Sequence, residues 1–343
     1  MKFWFDADNS PHVLVMEPLA AELKARGHTV VFTARRRAAT CALMDLYGLD
    51  YSLVGEGQQS GFIHKAAGTL RRAAALARHM RRSGGADLSF GHGSRALPVA
   101  SFLLGIPSVT MYDYEWVNPA IFNLFCKSIL LPEAVGREAC KSAGLKLSKV
   151  VPFPGFKEQL YLDSVDTSRE IAEDLGLRES SVRILLRPPA VTAHYHNPEA
   201  EDIMETVLEC ISRADSVQLI MFPRGSERLP ESFAQGPVEV IIPEKMYNGP
   251  SLVRACDMVI GGGGTITREA ALLGVPSYSF FRGREGSVDA FLEKSGSLVI
   301  LRNSEDVEEK LKTVKRKTVL PEPPCSRQLV RCIADCLETA AQP

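Results

Sequence analysis

Short apolar runs alternate with amphipathic stretches along this chain, and the alternation restarts about half-way. Lys2, Phe3, Trp4 and Phe5 form one strand and residues 29–33 another, joined by a helix over 19–26 that Gly27 ends, which together make a βαβ unit. Strands are expected again at 86–90, 108–112, 128–131 and 149–152. A second series follows at 183–187, 217–222, 238–242, 258–260 and 277–281, separated by helices such as 200–213 and 267–273. Two successive sets of βα units predict an α/β protein of two doubly wound, Rossmann-like domains, with an interdomain cleft at the carboxyl ends of the strands. The boundary falls between residues 154 and 174. This divides the chain into an N-terminal domain over 1–160, a C-terminal domain over 161–325, and a final helix within 326–343 that packs back on the domains.

Gly261, Gly262, Gly263 and Gly264 leave the strand at 258–260 and run into Thr265, Ile266, Thr267, Arg268 and Glu269. Residues without side chains let a backbone come within hydrogen-bond distance of a ligand, and the following helix offers N–H groups and partial positive charge to an anion. A phosphate suits that turn. Glu269, about one helical turn in, is placed to accept hydrogen bonds from a ribose diol, and the two features together suggest a nucleotide. The plainer alternative is tight packing in an ordinary α/β unit. A P-loop would need Gly-Lys-Ser/Thr where Gly264, Thr265 and Ile266 stand, and a dinucleotide fingerprint would open its domain with an acid about twenty residues on.

With 343 residues, 45% of them apolar, the chain can fill two cores. Forty basic against forty-one acidic residues leave a net charge of −1, which gives no footprint for nucleic acid. Cys41, Cys126, Cys140, Cys210, Cys256, Cys325, Cys332 and Cys336 are scattered without paired Cys-x-x-Cys spacing, as expected of reduced core thiols. Asp6 and Asp8 interrupt any signal-peptide core and no apolar run approaches about 18 residues. A cytoplasmic protein is expected. Arg71, Arg72, Arg78, Arg81 and Arg82 flank an alanine-rich helix over 73–80 that could rest on the inner face of the membrane through Leu70, Leu76 and Met80, or be a solvated face.

The organisation resembles the GT-B architecture shared by nucleotide-sugar glycosyltransferases and non-hydrolysing UDP-N-acetylglucosamine 2-epimerases. Glu269 precedes Gly274-Val275-Pro276 by five residues, as the donor-motif glutamate does in plant-type UDP-glycosyltransferases. His12 stands sixteen residues before His28, which follows Gly27, a spacing similar to that in the peptidoglycan transferase that adds N-acetylglucosamine. Through Asn9-Ser10-Pro11-His12-Val13, Pro154-Gly155-Phe156-Lys157-Glu158 and the block from Gly261 to Pro276, nearly the whole chain is similar to the bacterial and archaeal family catalogued as domain of unknown function 354. The resemblance implies an acceptor-side N-domain and a C-domain that binds a nucleotide-sugar donor, a UDP-sugar foremost. Gly261 replaces the donor-motif histidine, eight residues before Glu269. That position also holds the first acid of the Glu-x7-Glu pair of many retaining enzymes, so its absence argues for inversion.

An inverting transferase needs a base for the acceptor proton and positive groups for the leaving diphosphate. His12, expected in a loop after the first strand, is the first candidate base; a helix-capping histidine is the plainer alternative. Asp113 and Glu115 follow another strand and would share a face if the strand continued, to orient His12 or to act as acid and base, as carboxylates do in the epimerases. A surface turn is the alternative. Arg187, Arg224, Arg282 and Arg284 lie at strand ends in the second half, where they could bracket a diphosphate beside Gly262, Gly263, Gly264, Thr265 and Glu269. His194 and His196 are two apart without a third ligand nearby, so no metal or other cofactor is expected and Mg²⁺ is accessory at most.

The expected activity is inverting glycosyl transfer in cell-surface polysaccharide or glycoconjugate synthesis, to an acceptor that could be lipid-linked, with NDP-sugar 2-epimerisation as the rival. Two further readings remain. Asp6-Ala7-Asp8 after the first strand resembles the nucleophile motif of haloacid-dehalogenase-type phosphatases, but no Asp-Asp or Gly-Asp-x-x-x-Asp follows; a nucleotide-sugar binder without catalysis is the other.

Overall fold

Strand β1 (Lys2–Ala7) buries Phe3, Trp4 and Phe5 completely, apolar on both faces. A parallel strand must be so when helices cover both sides of its sheet. The computed structural model describes residues 1–55, 62–163, 166–189, 197–222, 237–313, 320 and 326–342, which fall into two units, Met1–Tyr161 with Cys325–Pro343, and Leu162–Pro324.

In the first unit β1 is joined by β2 (Thr29–Ala34), β3 (Tyr51–Leu53), β4 (Leu88–His92), β5 (Ser108–Met111), β6 (Ser128–Pro132) and β7 (Val150–Phe153). Their order is β3-β2-β1-β4-β5-β6-β7 and every pairing is parallel. The helices are α1 (Ser10–Ala25), α2 (Ala38–Leu46), α3 (Phe62–Arg82), α4 (Ala96–Leu104), α5 (Ala120–Phe125) and α6 (Gly136–Ser142). The second unit holds β8 (Val182–Arg187), β9 (Val217–Met221), β10 (Glu239–Ile241), β11 (Met258–Gly261), β12 (Ser277–Ser279) and β13 (Val299–Ile300), again parallel, in the order β10-β9-β8-β11-β12-β13. Around it lie α7 (Ser168–Asp174), α8 (Glu199–Ser212), α9 (Gly249–Ala255), α10 (Thr265–Leu273), α11 (Ser287–Lys294) and α12 (Ser304–Lys310). Both units are doubly wound. Strand order reverses between β1 and β4 in one and between β8 and β11 in the other, the points where such sheets open a crevice for ligands.

The last helix, α13 (Arg327–Ala341), belongs to the first unit, where Leu329, Val330, Ile333, Ala334 and Leu337 are buried. Arg26, at the end of α1, donates to Asp335 (2.6 Å) and Glu338 (2.7 Å) of that helix.

Two helices are longer than their sequence pattern predicts. Helix α1 begins at Ser10, not near Leu19, because Pro11 occupies the first turn, where its missing N–H is not needed. Pro18 is carried inside the helix, whose Val13, Val15, Met16 and Leu19 are fully buried. Helix α3 extends over Phe62–Arg82 and turns Ala73, Leu76 and Met80 into a core with Trp4, Leu97 and Ala100. Of the side chains expected to reach a membrane, Leu76 and Met80 are thus in the core and Arg72 is buried; Leu70 and Arg71, Arg78, Arg81 and Arg82 remain exposed. No described helix is long and apolar enough to cross a membrane.

Arg72 reaches from α3 to the end of β1. Its Nη1 and Nη2 donate to the two oxygens of the fully buried Asp6, each at 2.8 Å, and its Nε donates to the Val54 carbonyl. Thr33 of β2 (2.8 Å) and Ser94 of the β4–α4 turn (2.9 Å) complete the shell of that carboxylate. Burial by itself would raise the pKa of Asp6, but the Arg72 charge and these hydrogen bonds together hold it below the ordinary carboxylate value. Arg72→Leu leaves Asp6 buried and uncompensated and is expected to cost about 3–5 kcal/mol. Chemical denaturation checks this: a wild-type midpoint in the variant would show that the pair holds nothing together.

Candidate functional site

Asp6 is too enclosed to be a nucleophile. With its carboxylate wholly buried and both oxygens committed to Arg72, Thr33 and Ser94, it is a structural hub and not the first aspartate of a phosphatase. What stands above it at the carboxyl ends of β1 and β4 is a pair of imidazoles.

His12 lies in the first turn of α1, not in a loop, because the helix starts at Ser10. Its Nδ1 accepts a hydrogen bond from the main-chain N–H of Asp8 (3.2 Å). Asp8 in turn accepts from Arg35 (3.2 Å), and Arg37 donates to Asn9 (3.3 Å). His92, the last residue of β4, stands with its ring centroid 4.9 Å from that of His12. Burial pushes His12 down to about 4, against the opposing pull of Asp8 and Asp6. Burial, then the neighbouring His12, pushes His92 down to about 3, although Asp113 pulls the other way. Both rings are neutral at physiological pH.

Asp113 and Glu115 do not share a strand face. Strand β5 ends at Met111, so the chain has turned before either acid is reached. Asp113 Oδ2 lies 3.1 Å from Lys157 Nζ, whereas Glu115 is buried where its charge is felt by the Cys140 thiol. Lys157, only 2% exposed, also donates to Glu158. Glu158 is wholly buried and its second oxygen has no partner among the described residues. His92, Lys157 and Glu158 were not picked out as site residues in the sequence, although Lys157 and Glu158 belong to the Pro154 to Glu158 motif. Their adjacency just after a strand is visible in the sequence, but their burial is not.

In the second unit the glycine turn sits at the β8/β11 reversal. The Gly262 N–H donates to the carbonyl of Arg187, the last residue of β8 (3.0 Å). A Cβ on Gly262 would stand 2.6 Å from Pro189, and one on Gly263, whose φ is +86°, would stand 2.7 Å from the Phe281 ring. Close packing therefore accounts for these two glycines. Gly264 caps α10 with φ +106° and is exposed, and Thr265 opens the helix.

Glu269 is buried inside α10 with its carboxylate against Gly249, the first residue of α9. Arg187 Nη1 donates to the Phe222 carbonyl (3.1 Å) at the end of β9. Arg282 pairs with Glu199 (3.1 Å) at the start of α8, and Arg284 is exposed in the same loop. Arg268, next to Glu269, is spent on Asp289 (2.6 Å). Arg224, His194 and His196 lie outside the described residues, among which no group of three His, Cys, Asp or Glu side chains is arranged to hold a metal ion.

A family model described as protein of unknown function (DUF354) matches residues 1–336. The chain belongs to that family. It is 23% identical over 316 residues to an uncharacterised protein, MJ0665, of Methanocaldococcus jannaschii, covering 86% of each chain. Among solved structures, UDP-GlcNAc 2-epimerase from Neisseria meningitidis bound to UDP-GlcNAc is similar with a TM-score of 0.75 and 14% identity, over 99% of this chain and 100% of that one. MurG from Acinetobacter baumannii is similar with a TM-score of 0.56 and 15% identity, over 98% and 99%. At such identities the likeness shows a common fold, the GT-B pair of Rossmann-like domains.

The two histidines set a pH dependence. Their folded pKa values lie below the unfolded value of 6.5, so the unfolded chain binds more protons in acid. Their contribution to stability is complete above about pH 6.5 and falls as the pH drops towards 4, by up to about 1.4 kcal/mol per pH unit for each ring. The imidazole carbon resonances of His12 and His92 are expected to stay at their neutral positions from about pH 8 to pH 5; titration of either near 6.5 would contradict its burial.

Proposed function

We propose that this chain is an enzyme that binds a nucleotide-diphosphate sugar, a UDP-sugar foremost, and transfers the sugar with inversion to an acceptor that could be lipid-linked. The observation that carries the reading is the end of β11, where a glycine turn at the reversal of strand order runs directly into α10, with Glu269 one turn inside. An anion is favoured at such a helix start. Phosphates over Gly262, Gly263, Gly264 and Thr265 would have Arg187 on the neighbouring strand, and Glu269 would take the ribose hydroxyls. Arg282 and Arg284 are the further candidates for the diphosphate, and Arg224 stays one on sequence grounds alone. The leaving diphosphate is stabilised by these donors, with Mg²⁺ screening at most.

The first unit supplies the acid–base groups in this reading. His12 is poorly suited to be the base: Nδ1 already accepts the Asp8 N–H, so the neutral ring carries its proton on Nε2 and presents a donor. His92, Asp113 and Glu158 are the better proton acceptors.

Epimerisation at C2 is the second reading, supported by the acids Asp113 and Glu158, gathered on Lys157. UDP-GlcNAc incubated with the protein in D₂O separates the two. Epimerisation exchanges the C2 hydrogen and retains the sugar–nucleotide bond; transfer leaves C2 protonated and releases UDP in proportion to acceptor.

Glu269→Ala is expected to weaken UDP binding by about 1–3 kcal/mol, the scale for losing a hydrogen bond to a charged group. Calorimetry with UDP checks it, and an unchanged affinity in a folded variant removes the ribose assignment.

A further inference from the structure

The ring nitrogens of His12 and His92 can be complementary. A main-chain N–H can only donate, so the Asp8 contact fixes His12 with Nδ1 bare and a proton on Nε2. A neutral His92 ring carries one proton, and with that proton on Nδ1 its Nε2 is a bare acceptor. That Nε2 is buried and has no hydrogen-bond partner among the described residues. Buried polar atoms are paired in folded proteins, and one left over at the reversal of a doubly wound sheet points to a ligand. One donor and one acceptor, on rings 4.9 Å apart, match the two needs of an alcohol.

We propose that His12 and His92 clamp a single ligand hydroxyl, His12 donating from Nε2–H to its oxygen and His92 accepting its proton at Nε2. The assignment rests on the transfer reading for the identity of the hydroxyl, which is then the acceptor's. As the acceptor O–H bond breaks, its proton passes to His92 Nε2 and the oxygen pair forms the new bond to the anomeric carbon. The nucleotide diphosphate departs with the electrons of the old bond. Imidazolium at His92 is favoured by the Asp113 charge and opposed by that of Lys157, which lies 3.1 Å from Asp113. Asp113 and Lys157 are positioning residues here.

The test has two parts. Nitrogen-15 spectra of histidine-labelled protein at about pH 7 should show His12 protonated at Nε2 and His92 at Nδ1. Saturating UDP-GlcNAc with acceptor, or free N-acetylglucosamine alone, should then move the bare His92 Nε2 resonance as it accepts a hydrogen bond. Reversed protons, a charged ring, or no movement with either probe overturns the clamp. The second part compares glutamine variants, because the glutamine amide can supply the N–H of His12 Nε2 but cannot take up a proton as His92 does. His12→Gln should keep turnover within about tenfold, whereas His92→Gln should lose about 100- to 10,000-fold in kcat with little change in UDP affinity. The opposite ranking overturns the proposal and returns the base to His12. If UDP does not bind at all, the nucleotide-sugar reading fails, while the proton positions and the free-sugar probe still decide the clamp.

Discussion

A parallel sheet covered by helices on both faces leaves chemistry little room except at the ends of its strands. Every strand of β1's kind must be apolar on both sides, so polar groups can emerge only where the chain leaves the sheet, and at the carboxyl ends they meet the starts of the following helices. Both units obey this constraint. In the first, Asp6 is the buried polar residue just before the end of β1, and His12 stands in the first turn of α1; in the second, Arg187 and Gly262 meet at the ends of β8 and β11.

The price of ending β1 with a carboxylate is met by one arginine. Arg72 comes from a helix more than sixty residues away in sequence, and with Thr33 and Ser94 it binds β2, α3 and the β4–α4 turn to the same two oxygens. Those are the elements that bracket the imidazole pair. Positive charge at Arg72 and Arg37 also disfavours a proton on His12, while Asp6 and Asp8 oppose it, so burial decides and the ring stays neutral. The electrostatics of the hub and the protonation of the site are therefore one problem.

Legibility in the sequence followed the kind of signal each feature carries. The two sets of βα units were readable because long apolar runs recur with helical spacing between them, and the glycine turn because four adjacent glycines have few structural uses. Short edge strands such as Tyr51–Leu53 and Val299–Ile300 escaped, since two or three residues set no period. Pro11 and Pro18 hid the first half of α1: the pattern treats proline as a break, while packing of Val13, Val15 and Met16 outweighs the lost hydrogen bond. His12 was visible by its place after β1, but its tautomer depends on a main-chain contact that no side-chain pattern records. His92, Arg72, Lys157 and Glu158 are single letters whose meaning comes from residues far away along the chain.

The same distinction separates fold from reaction. GT-B enzymes that transfer a sugar and enzymes that epimerise one share the nucleotide-binding half, so the turn at β11 cannot discriminate between them, and neither can an overall likeness at 14–15% identity. Under the proposed readings, discrimination would rest on which groups of the first unit accept the proton. Transfer needs one acceptor that touches a hydroxyl, which a neutral imidazole with a bare nitrogen meets. Removal of a carbon-bound proton needs a stronger base, which a carboxylate freed from its lysine would supply. Lys157 is bonded to Asp113 and Glu158 at once, and its charge also disfavours a proton on His92, so one lysine acts on the proton acceptors of both reactions.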